Sequence, residues 1–115
     1  MPDKCVIGID FGTLSARAVV ARCFDGTVLG TGECAYPHGV ISGVMPDGTQ
    51  LPPGSALQDP ADYIHALRTS IRAALAASAI PAGAIIGIGI DATSCTILPF
   101  FPSWQRRWQK RGRIW

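Results

Sequence analysis

Residues 84–91, AIIGIGID, constrain the fold more than any other stretch of the chain. Seven positions in a row are apolar or glycine before the run closes on Asp91. A short apolar run without polar alternation is the pattern of a strand inside a parallel sheet, covered on both faces. A parallel strand reaches its neighbour only through a crossover, usually a helix. The chain therefore needs an earlier strand and a helix between the two.

Both are legible. KCVIGID, residues 4–10, is an apolar run that also closes on an aspartate, Asp10, and Phe11-Gly12-Thr13 reads as a turn. From Leu14 the chain alternates, with Leu14, Ala16, Ala18 and Val20 on one side and Ser15 and Arg17 on the other, which is strand periodicity. Asp25-Gly26 is a tight-hairpin signal, and VLGTGECAY returns as a third strand. Residues 37–58 are rich in proline and glycine and predict a long irregular connection, with a small hairpin at Asp47-Gly48. A helix follows: Asp59 is placed to cap it, Pro60 suits its first position, and Asp62 adds a carboxylate near its positive end. Ile64, Leu67, Ile71, Ala74 and Leu75 recur at helical spacing as the expected core face, with Arg68 and Arg72 opposite. TILPF, residues 96–100, is a candidate further strand. The order β-β-β-loop-α-β, with the last strand able to pair with the first, describes an α/β, ribonuclease H-like core.

At 115 residues and 48% apolar content the chain is sized for one small domain with a packed core. No apolar run approaches the roughly 20 residues that span a bilayer, and Met1-Pro2-Asp3-Lys4, with no basic region leading into a long apolar stretch, is not expected to begin a signal peptide. A soluble, cytoplasmic protein is the expectation. Cys5, Cys23, Cys34 and Cys95 lack metal-ligand spacing and read as free thiols, and His38 and His65 read as surface or boundary residues without a ligand partner nearby.

The chemistry-bearing residues gather at the two strand ends. In IGIDFGTLSARAVV, Gly12 permits close backbone approach, and the Gly12 and Thr13 amides with the Thr13 and Ser15 hydroxyls can converge on an anion. Asp10 can hold Mg2+ directly or through water. There is no lysine and no following helix, so this is neither a Walker A loop nor a dinucleotide-binding turn, and an ordinary hairpin remains an alternative. In GIGIDATSCT the second strand ends at Asp91, and Ser94, Cys95 and Thr96 follow. Ligands of α/β sheets bind beyond the carboxyl ends of strands. A parallel pairing of the two runs would set Asp10 and Asp91 at one edge.

These segments, in order, resemble the FGGY carbohydrate kinase family of the actin- and hexokinase-type ATPase superfamily. YPHGV (36–40), LPPGSALQDPADY (51–63) and GIGIDATSCTILP (87–99) are similar to its ribulokinase branch. The resemblance covers residues 5–100 and implies the N-terminal part of the first family domain. It implies transfer of a phosphoryl group from ATP, with Mg2+, to L-ribulose or a related ketopentose. It also implies phosphate contacts at Asp10, Gly12, Thr13, Ser15 and Arg17, the metal at Asp10, and sugar contacts at Ser94 and Cys95, with Asp91 and Gln58 in support. The general-base aspartate and the adenine-binding segments of the family have no counterpart here, so the chain alone is expected to be inactive.

After Pro99 the family pattern stops. Residues 1–102 hold five basic and eight acidic side chains, whereas residues 103–115 hold five basic ones, no acid and all three tryptophans. A basic, Trp-rich tail over 101–115 that has left the family's reading frame is the expectation. Nucleic-acid binding through Trp104 and Trp108 is the rival reading, and specific binding of that kind is not expected.

Overall fold

The computed structural model describes residues 3–94. Three strands come first: β1 (Cys5–Phe11), β2 (Ser15–Arg22) and β3 (Val28–Ala35). The helix α1 (Pro60–Ser78), a short 3-10 turn (Ala82–Ala84) and β4 (Ile85–Ala92) complete the order. The sheet runs β3-β2-β1-β4, antiparallel except for the parallel β1/β4 pair. The crossover demanded by the apolar run is thus α1, and the strand it reaches is the first.

One face of this sheet is covered. Cys5, Ile7 and Ile9 of β1 alternate with outward residues, and Ala16, Ala18 and Val20 of β2 do the same, all buried beneath α1. Full burial of an isoleucine such as Ile7 or Ile9 contributes about 1.5–3 kcal/mol. The helix reaches unusually close to β3. A Cβ at Gly32 would lie 2.2 Å from the Ser70 carbonyl oxygen, and one at Gly30 would lie 2.4 Å from that of Ala74. The facing helix positions are correspondingly small: Ala66, Ser70 and Ala74 form its buried line. Asp59 caps the helix by accepting from the Ala61 amide at 2.9 Å, as its sequence predicts, and the helix ends where Ala79 turns left-handed at φ 56°.

The structure corrects three expectations. Ile64 is 50% exposed, because the helix docks on its small-residue line rather than on the centre of its large apolar residues. Leu14 belongs to the turn before β2 and is exposed. The apolar run of β4 pairs in parallel as expected, yet Ile86, Ile88 and Ile90 stand 57–68% exposed. Register explains this: Ile88 sits beside Ile7 and Ile90 beside Ile9, on the face that α1 covers only over the other three strands.

The 37–58 connection carries two isolated bridges, Ile41 with Leu57 and Val44 with Gln50. The expected turn at Asp47-Gly48 is present: the Thr49 amide donates to Asp47 at 3.0 Å and Gly48 adopts φ 86°. Cys5, Cys23 and Cys34 are free thiols, and Cys95 and the 96–100 segment lie outside the described residues. No described helix is long and apolar enough to cross a membrane.

Gly32→Val forces a branched side chain against helix backbone. It is expected to lower stability by about 1–3 kcal/mol or more, the usual cost of overpacking, measured by urea denaturation. Gly26→Ala, in open space on the β2–β3 turn, probes only the left-handed backbone and is the milder comparison.

Candidate functional site

The parallel register carries the sequence's two aspartates to one place. Asp10 pairs with Asp91 across β1/β4, Asp10 with Arg17 across β1/β2, and Arg17 with Glu33 across β2/β3. Residues paired in this way share a face of the sheet. Glu33, Arg17, Asp10 and Asp91 therefore form one charged row over all four strands, on the face opposite α1. At its β3 end the row is closed: Arg17 Nε lies 3.3 Å from Glu33 Oε1, and Ser15 Oγ donates to the same oxygen at 3.1 Å. At its β4 end two exposed carboxylates stand on strands about 4.8 Å apart with Arg17 already engaged by Glu33. Hard oxygen donors so arranged suit a divalent cation such as Mg2+.

The turn from β1 to β2 is held from behind. Tyr36 donates its hydroxyl to the Gly12 carbonyl at 2.8 Å and its backbone N–H to the Leu14 carbonyl at 2.9 Å. Gln58 donates its side-chain amide to the Thr13 carbonyl at 2.7 Å, and its own carbonyl accepts from the Tyr63 hydroxyl. Three consecutive carbonyls are thus drawn to the protein side. Phe11, Tyr36 and Tyr63 pack as an aromatic cluster below, with ring centroids 4.8–5.5 Å apart. The Gly12 amide donates to the Ser15 carbonyl at 2.9 Å, so it is used within the turn, and the exposed Thr13 supplies the tip. Thr93, just past β4, ties that strand's end to the turn by donating both its amide and its hydroxyl to the Phe11 carbonyl, each at 3.1 Å. Ser94 is exposed immediately after it, and Cys95 falls outside the described residues.

Sequence reasoning missed several of these roles. Glu33 faces Arg17 only because the β2/β3 register shifts by one between Val20 and Ala21, so counting pairs outward from the Asp25-Gly26 turn does not find it. Tyr36 and Thr93 act through long-range hydrogen bonds that carry no local pattern. Gln58, expected in support of the sugar contacts, braces the turn through its amide.

His38 is also corrected. It was expected to lie away from other ligating groups, but its Nδ1 is 2.9 Å from Asp62 Oδ1 and 3.1 Å from Asp59 Oδ2. Ionised carboxylates only accept, so Nδ1 is the donor. The His38 amide donates to Asp62 Oδ2 at 2.8 Å as well. Asp62 is 4% exposed and binds the chain leaving β3 to the first turn of α1. Burial pushes the Asp59 carboxyl up, against the opposing pull of the Ala61 amide. His65 is exposed, as expected.

The four-stranded mixed sheet with one crossover helix is an α/β architecture that sugar kinases share. Solved structures agree: a xylulose kinase from Brucella ovis superimposes with a TM-score of 0.60 at 29% identity, over 77% of this chain and 16% of that one. A xylulose kinase from Rhodospirillum rubrum shares the fold, with a TM-score of 0.56. Among curated proteins the chain is similar to ribulokinase of Mycolicibacterium smegmatis, at 46% identity over 97 residues, and of Geobacillus thermodenitrificans, at 47% over 100. These matches take in 83% and 86% of this chain but 17% and 18% of the relatives. No family model matches. On these likenesses the chain belongs to the FGGY carbohydrate kinases, and its sequence kinship is with the ribulokinases.

Burial, with Tyr63 and Asp10 adding to it, pushes the Tyr36 hydroxyl up to about 12. A raised folded-state value means that its contribution is complete below the ordinary tyrosine pKa of about 10 and is lost as pH rises toward 12. Stability is expected to fall through that window, and Tyr36→Phe should flatten the fall while costing about 0.5–1.5 kcal/mol for the lost hydrogen bond. Denaturation midpoints measured across the alkaline range check both. Asp62→Ala strands the His38 donors and is expected to cost about 1–3 kcal/mol, read by the same melts.

Proposed function

We propose that the chain forms one wall of a ribulokinase-type site, in which a phosphoryl group passes from ATP to a hydroxyl of L-ribulose or a related ketopentose. The observation that carries this reading is the register of Asp10 beside Asp91 at the carboxyl ends of parallel strands, next to a turn whose carbonyls are all drawn inward. Phosphoryl transfer rests on positioning and charge stabilisation rather than covalent chemistry, and a braced turn suits it. Thr13, with Gly12 allowing close approach, meets the nucleotide phosphates. Asp10 takes the metal, with Asp91 as its neighbour. Ser15 and Arg17 support the turn through Glu33 and offer further phosphate contacts. Ser94 and Cys95 face the sugar, and Gln58 positions the turn. Mg2+ supplies charge neutralisation of the polyphosphate.

The general base and the adenine site belong to the part of the relatives' length that the chain does not span. We assign residues 1–100 to part of a ribonuclease H-like domain and read the basic, Trp-rich sequence 101–115 as a tail outside the family's frame. Alone, the chain is inactive.

The test is twofold. A coupled assay with ATP, Mg2+ and L-ribulose is expected to show no turnover by the purified chain, and measurable turnover would overturn the inactivity. Titration with Mg·ATP, followed by amide NMR, is expected to shift Thr13 and its neighbours in a Mg2+-dependent way that Asp10→Asn abolishes. Shifts confined to other parts of the chain would overturn the site.

A further inference from the structure

The His38–Asp59–Asp62 cluster has no part in the proposed phosphoryl transfer. Among the described residues it brings an imidazole nitrogen and two carboxylate oxygens within 4.8 Å of one another. The three side chains come from stretches far apart in sequence, the chain leaving β3 and the start of α1. Exposure is low where the charge is: the Asp62 side chain is 5% exposed and that of Asp59 16%, whereas the imidazole, at 43%, is open to solvent on one side.

Each carboxylate is aimed by a backbone amide. Asp59 Oδ1 accepts from the Ala61 amide at 2.9 Å, and Asp62 Oδ2 accepts from the His38 amide at 2.8 Å. The other oxygen of each group, Asp59 Oδ2 and Asp62 Oδ1, faces His38 Nδ1 at 3.1 and 2.9 Å. Pinning one oxygen by an outer donor while the other points inward is how ligating carboxylates are oriented in metal centres. One Nδ1 proton serves both inner oxygens, and its hydrogen bond goes to Asp62. The N-terminus of α1 adds about half a positive charge, less than the two carboxylates carry. With the imidazole neutral, the cluster keeps net negative charge on groups largely removed from water, where charge is costly. A divalent cation offsets it.

Spacing and donor set choose the cation. Around a tetrahedral zinc ion, neighbouring ligand atoms stand about 3.4 Å apart. The two Nδ1–oxygen separations fall short of that by a few tenths of an ångström, which small side-chain rotations supply. An imidazole with two carboxylates is a zinc-like set, whereas Mg2+ prefers oxygens and keeps several of its own waters. The open side of the cluster leaves a further position for water.

We infer that His38 Nδ1, Asp59 Oδ2 and Asp62 Oδ1 bind a divalent transition cation of the zinc type, with water completing the coordination. The cation takes the place of the Nδ1 proton, which passes through solvent to Nε2. Bound there, it joins the chain leaving β3 to the start of α1, beside Gln58, whose amide holds the Thr13 carbonyl. The inference does not depend on the kinase reading.

Co2+, a paramagnetic probe with zinc-like ligand preferences, is added to the full chain free of any affinity tag and followed by amide NMR. Signals of residues around 38 and 59–62 are expected to broaden, to recover on addition of Zn2+, and to stay broadened in a large excess of Mg2+. Asp59→Asn keeps a capping side chain while removing a carboxylate, and His38→Gln removes the imidazole. Each is expected to weaken Co2+ binding at least about tenfold. Cys23→Ser, which removes an exposed thiol, should leave it unchanged. Broadening centred only on Asp10 and Asp91, on a cysteine or on residues after 94 overturns the inference. So does an absence of broadening, displacement by Mg2+ as readily as by Zn2+, or an affinity that neither variant lowers. Where circular dichroism shows a variant unfolded, the position of the broadening in the unsubstituted chain decides.

Discussion

Everything in this fold follows from where α1 can sit, and two glycines decide that. Gly30 and Gly32 leave β3 without side chains under the helix, and the backbone of α1 settles within a distance no Cβ would permit. The close approach selects Ala66, Ser70 and Ala74 as the contact line and tips the larger residues toward β1. Tyr63 and Leu67 then meet Ile9 and Tyr36, and Ile71 and Leu75 meet the cluster around Ile7. The helix covers three strands and leaves the fourth exposed beyond Ile85, which still packs against the core. A bulkier β3 would have lifted the helix and loosened every one of these contacts.

The site inherits its rigidity from that packing. Tyr63 is a helix residue, and its hydroxyl fixes the Gln58 carbonyl whose amide partner holds the Thr13 carbonyl. Tyr36, buried in the same cluster, holds the carbonyls on either side. Helix position, aromatic cluster and turn geometry are therefore one mechanical chain. The His38–Asp62 contact belongs to it too, because it fixes the path from β3 into the connection that ends at Gln58.

The elements were legible because each is encoded locally: alternation for β2, the Asp25-Gly26 turn, the Asp59-Pro60 helix start, and the apolar run of β4. The aspartate pair was legible for the same reason, since both acids close strand-like runs. What escaped was everything set by distant partners. Exposure of Ile64 and Ile88 depends on which helix face the β3 glycines accept. Glu33 acquires its role from a neighbour 18 residues away, and Gln58 from one 45 residues away. His38 reads as an isolated loop residue until the fold brings the helix start beneath it.

The charged row across the four strands has a meaning for folding as well as for chemistry. Side chains in a sheet alternate faces, so sliding any strand by one position would turn its member of the row inward. Glu33, Arg17, Asp10 or Asp91 would then be driven against the isoleucines and alanines under α1, where an unpaired charge is intolerable. The row thus acts as a proofreading mark. It penalises each misalignment of the sheet, and the arrangement that brings the acids together at one edge is also the alignment in which the core stays dry.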